Sequence, residues 1–396
     1  MRWIMLLVLF LVRLAMGYQF QSVASTSTQL VAAFGLSYAE VGTLIGLFLL
    51  PGVFISIPSG ALTRAVADKN LLMFGAMAMA VGAFWMGSAT SPSELYAGRV
   101  ITGVGGTIFN VILTKMVTDW FIGREIVLAL SVMLTAWPIG IALGLLIHGP
   151  VATAYGWSWA MYIAAIAALA ALVFTAAFYR APPSSATETS ASRRYGLPSR
   201  ELVHVSIVGL GWTLYNAALI AVVSFAPDAL VSAGYERGAA HSLASLFMWS
   251  MLISLPLGGR LLQSIGHITT AITLTLVTAT GLIIALSFAI APLAMFVLLG
   301  LFAGIPAGAL MSLSAEAVRP ENRGPGLGIF YTWYYAGMTV APIIAGWLRD
   351  WSGSTQVPVL FSALLMAGPV LCVWILRMLQ SNWPIRALAF GAKGAG

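Results

Sequence analysis

Charge is what this chain has least of. Of its 396 residues only 8% are Asp, Glu, Lys or Arg, about a third of the share in an ordinary soluble domain, while 60% are hydrophobic. A water-facing surface cannot be built from that composition, so the length does not stand for two or three soluble domains. The single cysteine, Cys372, excludes an internal disulfide and any Cys-based zinc or iron–sulfur cluster. The three lysines, Lys69, Lys115 and Lys393, follow Asp, Thr and Ala, never Gly. That excludes a phosphate-binding Gly-x-x-x-x-Gly-Lys-[Ser/Thr] loop and, with none at mid-span, a buried Schiff-base lysine. The four histidines, His148, His204, His241 and His267, are far apart and lack partners at metal-ligand spacing. No metal, no cofactor and no enzymatic nucleophile–base pair is therefore expected, and His148 is the one histidine that is a pore candidate.

What is present is a series of uncharged apolar runs. Residues 126–179 and 261–315 carry no charged side chain, and each is long enough for two membrane helices of about 20 residues. Adding the shorter runs gives twelve spans, near 3–23, 41–62, 70–90, 95–117, 127–148, 157–179, 202–225, 240–262, 267–290, 293–315, 325–347 and 356–379. Arg2 followed by an apolar stretch resembles a secretory signal, but Arg13 interrupts it, so it reads as a retained first span. If the N-terminus is cytoplasmic, 15 of the 19 cations fall on the cytoplasmic side, with only Arg237 and Arg349 outside and Arg13 and Arg99 within spans. The net charge of +7 is therefore topological, and nucleic acid is not an expected partner. Both termini are placed in the cytoplasm, in a multi-pass protein of a cell (inner) membrane.

The one long polar, low-complexity stretch is residues 180–200, at the middle of the chain. It divides the spans into two sets of six: a bundle over 1–179, a cytoplasmic linker over 180–200, and a bundle over 201–396 ending in a short tail. The sets look duplicated. Gly60 after span 2 matches Gly259 after span 8, and Arg124 before span 5 matches Arg323 before span 11, both 199 residues apart. Repeated halves flanking a midplane cavity are a transporter architecture. The fold class expected is all-α and polytopic, with 12 helices in two pseudo-symmetric bundles.

Several motifs carry a resemblance. The loop after span 2 keeps Gly60, Leu62 and a terminal Lys69 of a Gly-x-Leu-Ala-Asp-Arg-x-Gly-Arg-Arg signature, with Arg64 at the acidic position. Its second copy keeps Gly259, Leu261 and Gly266, with Gln263 at that position, and span 4 carries Arg99-x-x-x-Gly103-x-Gly105. Over essentially its whole length the chain resembles the major facilitator superfamily, and within it the cyanate and nitrate-type anion permeases. The resemblance implies alternating access by two rocking bundles, and the missing acidic residue puts that family's usual loop salt bridge in doubt.

Two arginines lie within spans, and the twelve carboxylates all lie at or near span ends or in loops. Arginine stays protonated, so the interior carries positive charge without a counter-ion, and the missing anion is a candidate substrate. Arg13 stands at the centre of span 1, on a face continuing through Gly17 to Gln21, beside Tyr18 and Gln19. The alternative is that Arg13 bonds free carbonyls of a broken neighbouring helix. Arg99, nearer a span end, contacts substrate or braces helices. Trp212, Tyr215 and Asn216 of span 7, and Tyr331 and Tyr335 among the aromatics of span 11, supply rings and an amide around the site. Trp137-Pro138 and Gly304-Ile305-Pro306 are expected to kink gating helices. Arg64, Arg124, Arg260 and Arg323 are placed as conformational residues, paired in the outward-open state, where the cytoplasmic ends of the halves meet, with carboxylates of the same side, Asp119 and Glu316 among them.

The expected function is a monomeric secondary or facilitative transporter, an exchanger or uniporter of a small organic or inorganic anion. The rival keeps the fold and makes it a proton-coupled exporter of lipophilic drugs, which would ordinarily need a titrating intramembrane carboxylate or histidine. A transport-dead sensor or scaffold is the third reading, and it lacks the soluble domains such a role would need.

Overall fold

The computed structural model describes residues 1–56, 66–121, 125–182, 197–265, 267–319 and 322–382. Every regular element among them is helical: α1 (Arg2–Ser25), α2 (Ser27–Phe34), α3 (Tyr38–Leu47), α4 (Leu50–Ile55), α5 (Asp68–Gly87), α6 (Pro92–Phe121), α7 (Ile126–Tyr155), α8 (Trp157–Phe178), α9 (Ser199–Ser232), α10 (Arg237–Ile265), α11 (Ile268–Ser287), α12 (Pro292–Gly304), α13 (Ala307–Glu316), α14 (Arg323–Ser352) and α15 (Gln356–Asn382). The chain is an all-α, multi-pass membrane protein. Eleven stretches are long and apolar enough to cross a membrane, with α3 and α4 filling one of them and α12 and α13 another. The twelfth expected span is α14, whose 30 residues reach about 45 Å at about 1.5 Å per residue, and whose tyrosines, tryptophans and glycines dilute its apolar character.

Helix starts recur along the chain. Tyr38 of α3 and Arg237 of α10 are 199 residues apart, Asp68 of α5 and Ile268 of α11 are 200 apart, and so are Pro92 of α6 and Pro292 of α12. Of the expected kinks, Gly304-Ile305-Pro306 separates α12 from α13, whereas α7 runs unbroken through both Pro138 and Pro150. Without a hydrophobic drive between helices in lipid, close approach of backbones matters most. Gly82 of α5 and Gly98 of α6 face each other, a Cβ on Gly82 coming within 2.5 Å of the Gly98 carbonyl oxygen. Gly103 lies against the Leu47 and Phe48 carbonyls in the same way, which makes the glycines of α6 packing residues.

An even number of spans puts the start of α1 and the end of α15 at one end of the molecule, the terminal end. Among the described residues, the ion pairs there each join residues within one set of six spans. Arg2 meets Glu125 at 2.7 Å, and Lys115 meets Asp68 at 2.5 Å and Asp119 at 3.0 Å. In the second set Arg319 meets Glu201 at 3.3 Å and Arg377 meets Glu316 at 2.8 Å. Glu201 is buried and also accepts from the Asn322 side chain at 2.7 Å. Arg2 and Glu201 are 199 residues apart, so equivalent helix starts carry opposite charges. The expected gating carboxylates Asp119 and Glu316 are engaged within their own sets in this state. Asp119 and Glu316 are taken by Lys115 and Arg377, because a residue one turn away on the same helix, or on the adjacent helix of the same set, reaches them first. Arg323 is exposed; Arg64, Arg124, the Arg260 side chain and linker residues 183–196 lie outside what is described.

At the opposite, far end the two sets of spans are latched together. The Asp350 carboxylate at the end of α14 accepts the Tyr38 and Ala39 amides that open α3, at 2.9 and 2.7 Å. Arg349 lies 4.0 Å from the centre of the Tyr38 ring and donates to its hydroxyl at 3.1 Å. Arg237 donates to the Thr28 hydroxyl. A Cβ on Gly42 or Gly46 of α3 would overlap the Pro342 or Thr339 carbonyl of α14, and one on Gly346 would overlap the Tyr38 carbonyl.

Candidate functional site

The two intramembrane arginines have opposite environments. Arg99 is fully buried, and its guanidinium donates to three backbone carbonyls: Leu44 O at 2.9 Å, Gln19 O at 3.3 Å and Phe20 O at 2.8 Å. Where α3 ends, the Phe48 amide turns to Gly46 O, which leaves the Leu44 carbonyl to the Arg99 Nε. The Phe20 and Phe48 rings cover the cation at 5.8 and 4.8 Å from their centroids. Arg99 thus has the geometry of a brace between α1, α3 and α6, with each guanidinium nitrogen bonded to a backbone carbonyl. Of the two roles expected for Arg99, substrate contact or helix brace, this geometry has the form of the second.

Arg13 is also buried, but its Nε has no hydrogen-bond partner and no carboxylate pairs with it among the described residues. Tyr331, Tyr334 and Tyr335 of α14 lie close enough to feel its charge. The Tyr335 hydroxyl accepts from the Asn110 side chain of α6 at 2.8 Å, and its ring sits over Gly52 of α4, where a Cβ would intrude. The centre of the molecule therefore joins a cation and an amide from the first six spans to tyrosines from the last six. Tyr331 and Tyr335 lie within electrostatic range of Arg13. Asn110 was missed, and its signal was available: an amide in the middle of an apolar span. Tyr334 belongs beside them.

The remaining site residues of α1 turn elsewhere. Tyr18 packs on Ala83, Ala164 and Ala165, and its ring lies 4.2 Å from that of His148. His148 Nε2 is 3.0 Å from Tyr18 O, which makes it an interhelical contact inside the first set and not a pore residue. Gln21 donates to Ser25 at 3.3 Å and its side chain fills the space against Gly144 of α7. Gly17 faces Gly140 of α7, so the face above Arg13, where the sequence reading set Tyr18 and Gln21 at the substrate, packs in this structure as a helix–helix seam, with the Tyr18 hydroxyl and the Gln21 carbonyl oxygen left without hydrogen-bond partners. In α9 the Tyr215 hydroxyl donates to Ala303 O at 2.7 Å, and the Asn216 amide donates to Trp212 O at 2.8 Å. Both polar groups are engaged within the second set. Trp212 is half-buried and stacks at 5.6 Å on Tyr215 and at 6.1 Å on Phe330, which meets Tyr331 edge-on at 5.4 Å. An aromatic wall thus runs from Tyr215 to the tyrosines around Arg13.

Two carboxylates are buried in the helices, though at their ends: Glu201, and Asp228 in electrostatic range of Arg349 and Arg237. A cleft of about 530 Å³ lined by Leu146, Leu243, Leu246 and Trp249 opens between α7 and α10. None of the residues around Arg13 lines it.

The sequence profile of the Major Facilitator Superfamily matches residues 6–233 and again 205–389. The chain belongs to the major facilitator superfamily. Its relatives include the Saccharomyces cerevisiae azole resistance protein 1, 27% identical over 145 residues (36% of this chain, 23% of that one). A probable nitrate transporter, NarT, of Staphylococcus aureus is 27% identical over 137 residues (34% of this chain, 35% of that one). The Bacillus subtilis nitrite extrusion protein is 26% identical over 94 residues (24% of each). The matched segments thus span only about a quarter to a third of these relatives' length. A crystal structure of a mutant of the nucleoside transporter NupG superposes with a TM-score of 0.71, covering 95% of this chain and 99% of that one at 14% identity, which makes the fold common to both.

Proposed function

We propose that the chain is a secondary transporter that carries a small anion by alternating access, with Arg13 as its principal contact and Tyr331, Tyr334 and Asn110 around it. The observation that carries the reading is the contrast between the two buried arginines: each of the three guanidinium nitrogens of Arg99 has a carbonyl partner, whereas Arg13 has neither a counter-ion nor a partner for its Nε. A buried cation left unpaired is costly, and a substrate that supplies the opposite charge offsets that cost while it is bound. The latch at the far end and the separation of ion pairs at the terminal end support a state closed on the far side. With the termini in the cytoplasm of a cell membrane, that state faces inward, and bundles 1–179 and 201–396 rock about Arg13. The nitrate and nitrite proteins among the relatives agree with an anion, and the azole resistance protein keeps the drug-exporter alternative in view.

The test is reconstitution of wild type, Arg13→Lys and Arg13→Gln in liposomes. A guanidinium fork grips oxyanions bidentately, so both variants should lose affinity, by about tenfold or more, for whichever anion stabilises the wild type in a thermal screen of carboxylates, nitrate, cyanate and phosphate. Normal anion transport by Arg13→Gln, or a preference for cations or neutral lipophiles, refutes the reading.

A further inference from the structure

We infer that the anion taken at Arg13 is an organic monocarboxylate with a flat apolar body, its carboxylate on Arg13 and its body along the aromatic wall of Trp212 and Tyr331. The inference rests on the anion reading above and narrows its substrate class.

Charge sets the valence. Arg99 is committed to three carbonyls, so among the described residues Arg13 is the one mid-span cation left without a partner, and a single positive charge neutralises a single negative one. Donor number sets the head group. The Tyr331 and Tyr334 hydroxyls stand in range of Arg13 and make no hydrogen bond among the described residues, unlike Tyr335, which is bonded to Asn110. The guanidinium edge presents two parallel N–H groups to the two oxygens of one carboxylate.

The wall sets the body. Trp212 and Tyr331 are half-buried, while Phe330 and Tyr215 behind them are fully buried and fix the rings by stacking, at 6.1 Å between Trp212 and Phe330. Trp212 stands 199 residues after Arg13, so where the first six spans offer a charge the last six offer an indole at the equivalent place. A site divided in this way matches a molecule divided in the same way, one end ionic and one end flat and apolar. Nitrate or acetate fills only the first part.

Isothermal titration of the purified full chain with phenylacetate, acetate, nitrate, succinate and phenylacetamide tests this without any substitution. Phenylacetate should bind at least about tenfold more tightly than acetate or nitrate, a difference of about 1.4 kcal/mol, with succinate and uncharged phenylacetamide both weak. Trp212→Ala should bring the ratio of phenylacetate to acetate affinity close to one, and Trp212→Phe should keep part of the preference. If acetate or nitrate equals phenylacetate, if phenylacetate does not bind, or if a folded Trp212→Ala keeps the preference, the inference is overturned while the anion reading stands. If phenylacetamide binds as well as phenylacetate and Arg13→Gln binds both, the anion reading falls with it.

Discussion

Asp350→Ala should loosen the far end without touching the candidate site. In the wild type this carboxylate accepts two amides from the opening turn of α3 at 2.9 and 2.7 Å, across more than 300 residues of sequence. It acts there as a helix cap supplied from another helix, and removal of a capping oxygen costs about 0.5–2 kcal/mol. The group is exposed, so the lower half of that range for each bond is appropriate, giving about 1–2 kcal/mol in total. That energy exists only while the far end is closed, so its loss should raise the ratio of far-open to far-closed molecules by about 5- to 30-fold. Spin labels at the exposed far-end positions Ala33 and Ser232, in a Cys372→Ser background, would read the two populations as two distance peaks. The variant should gain the longer distance, and Arg349→Ala, which removes the contact with Tyr38, should add to it. An unchanged distribution in the double variant would mean that the latch is incidental, and that the glycine-to-carbonyl contacts of α3 and α14 alone hold the end shut.

Arg99→Gln should cost stability and not selectivity: it removes three charge-assisted bonds and leaves buried carbonyls bare, for an expected loss of about 3–5 kcal/mol in thermal or denaturant unfolding, and a variant that keeps full stability but loses anion affinity would place Arg99 in the site after all. Gly46→Val should block far-end closure, since its Cβ would overlap the Thr339 carbonyl; accessibility of a cysteine introduced at Ala33 or Ser232, in the Cys372→Ser background, to a membrane-impermeant reagent should rise while the protein elutes as the wild type does. A Gly46→Val protein with wild-type accessibility would show that α14 shifts to make room.

The sequence identified both buried arginines, because charge inside an apolar run is conspicuous. It did not tell them apart, because the carbonyls that accept from Arg99 come from residues 55 to 80 positions away and from the point where α3 ends, and neither is written in side-chain identities. The same limit explains Tyr18 and Gln21. Helical periodicity places residues on a common face but does not say which neighbour that face meets; here the face meets the glycines of α7. Span positions were legible from charge gaps alone, whereas span ends were not: α7 extends past His148-Gly149-Pro150 to Tyr155, since proline after a first turn of continued packing need not end a helix. Asn110 was legible and overlooked. The aromatic cluster of α14 was read from composition, and its continuity with Trp212 needed the fold.

Equivalent helix starts with opposite charges have a consequence for assembly. Arg2 is matched to Glu125, and Glu201 to Arg319, each inside its own bundle. Were the opening helices exchanged, a glutamate would lie beside Glu125 and an arginine beside Arg319, and like charges at such distances repel. Each opening helix therefore carries an electrostatic preference for its own set of spans, about 1 kcal/mol or less for such partly exposed pairs, although the 199-residue register makes the two helix starts equivalent.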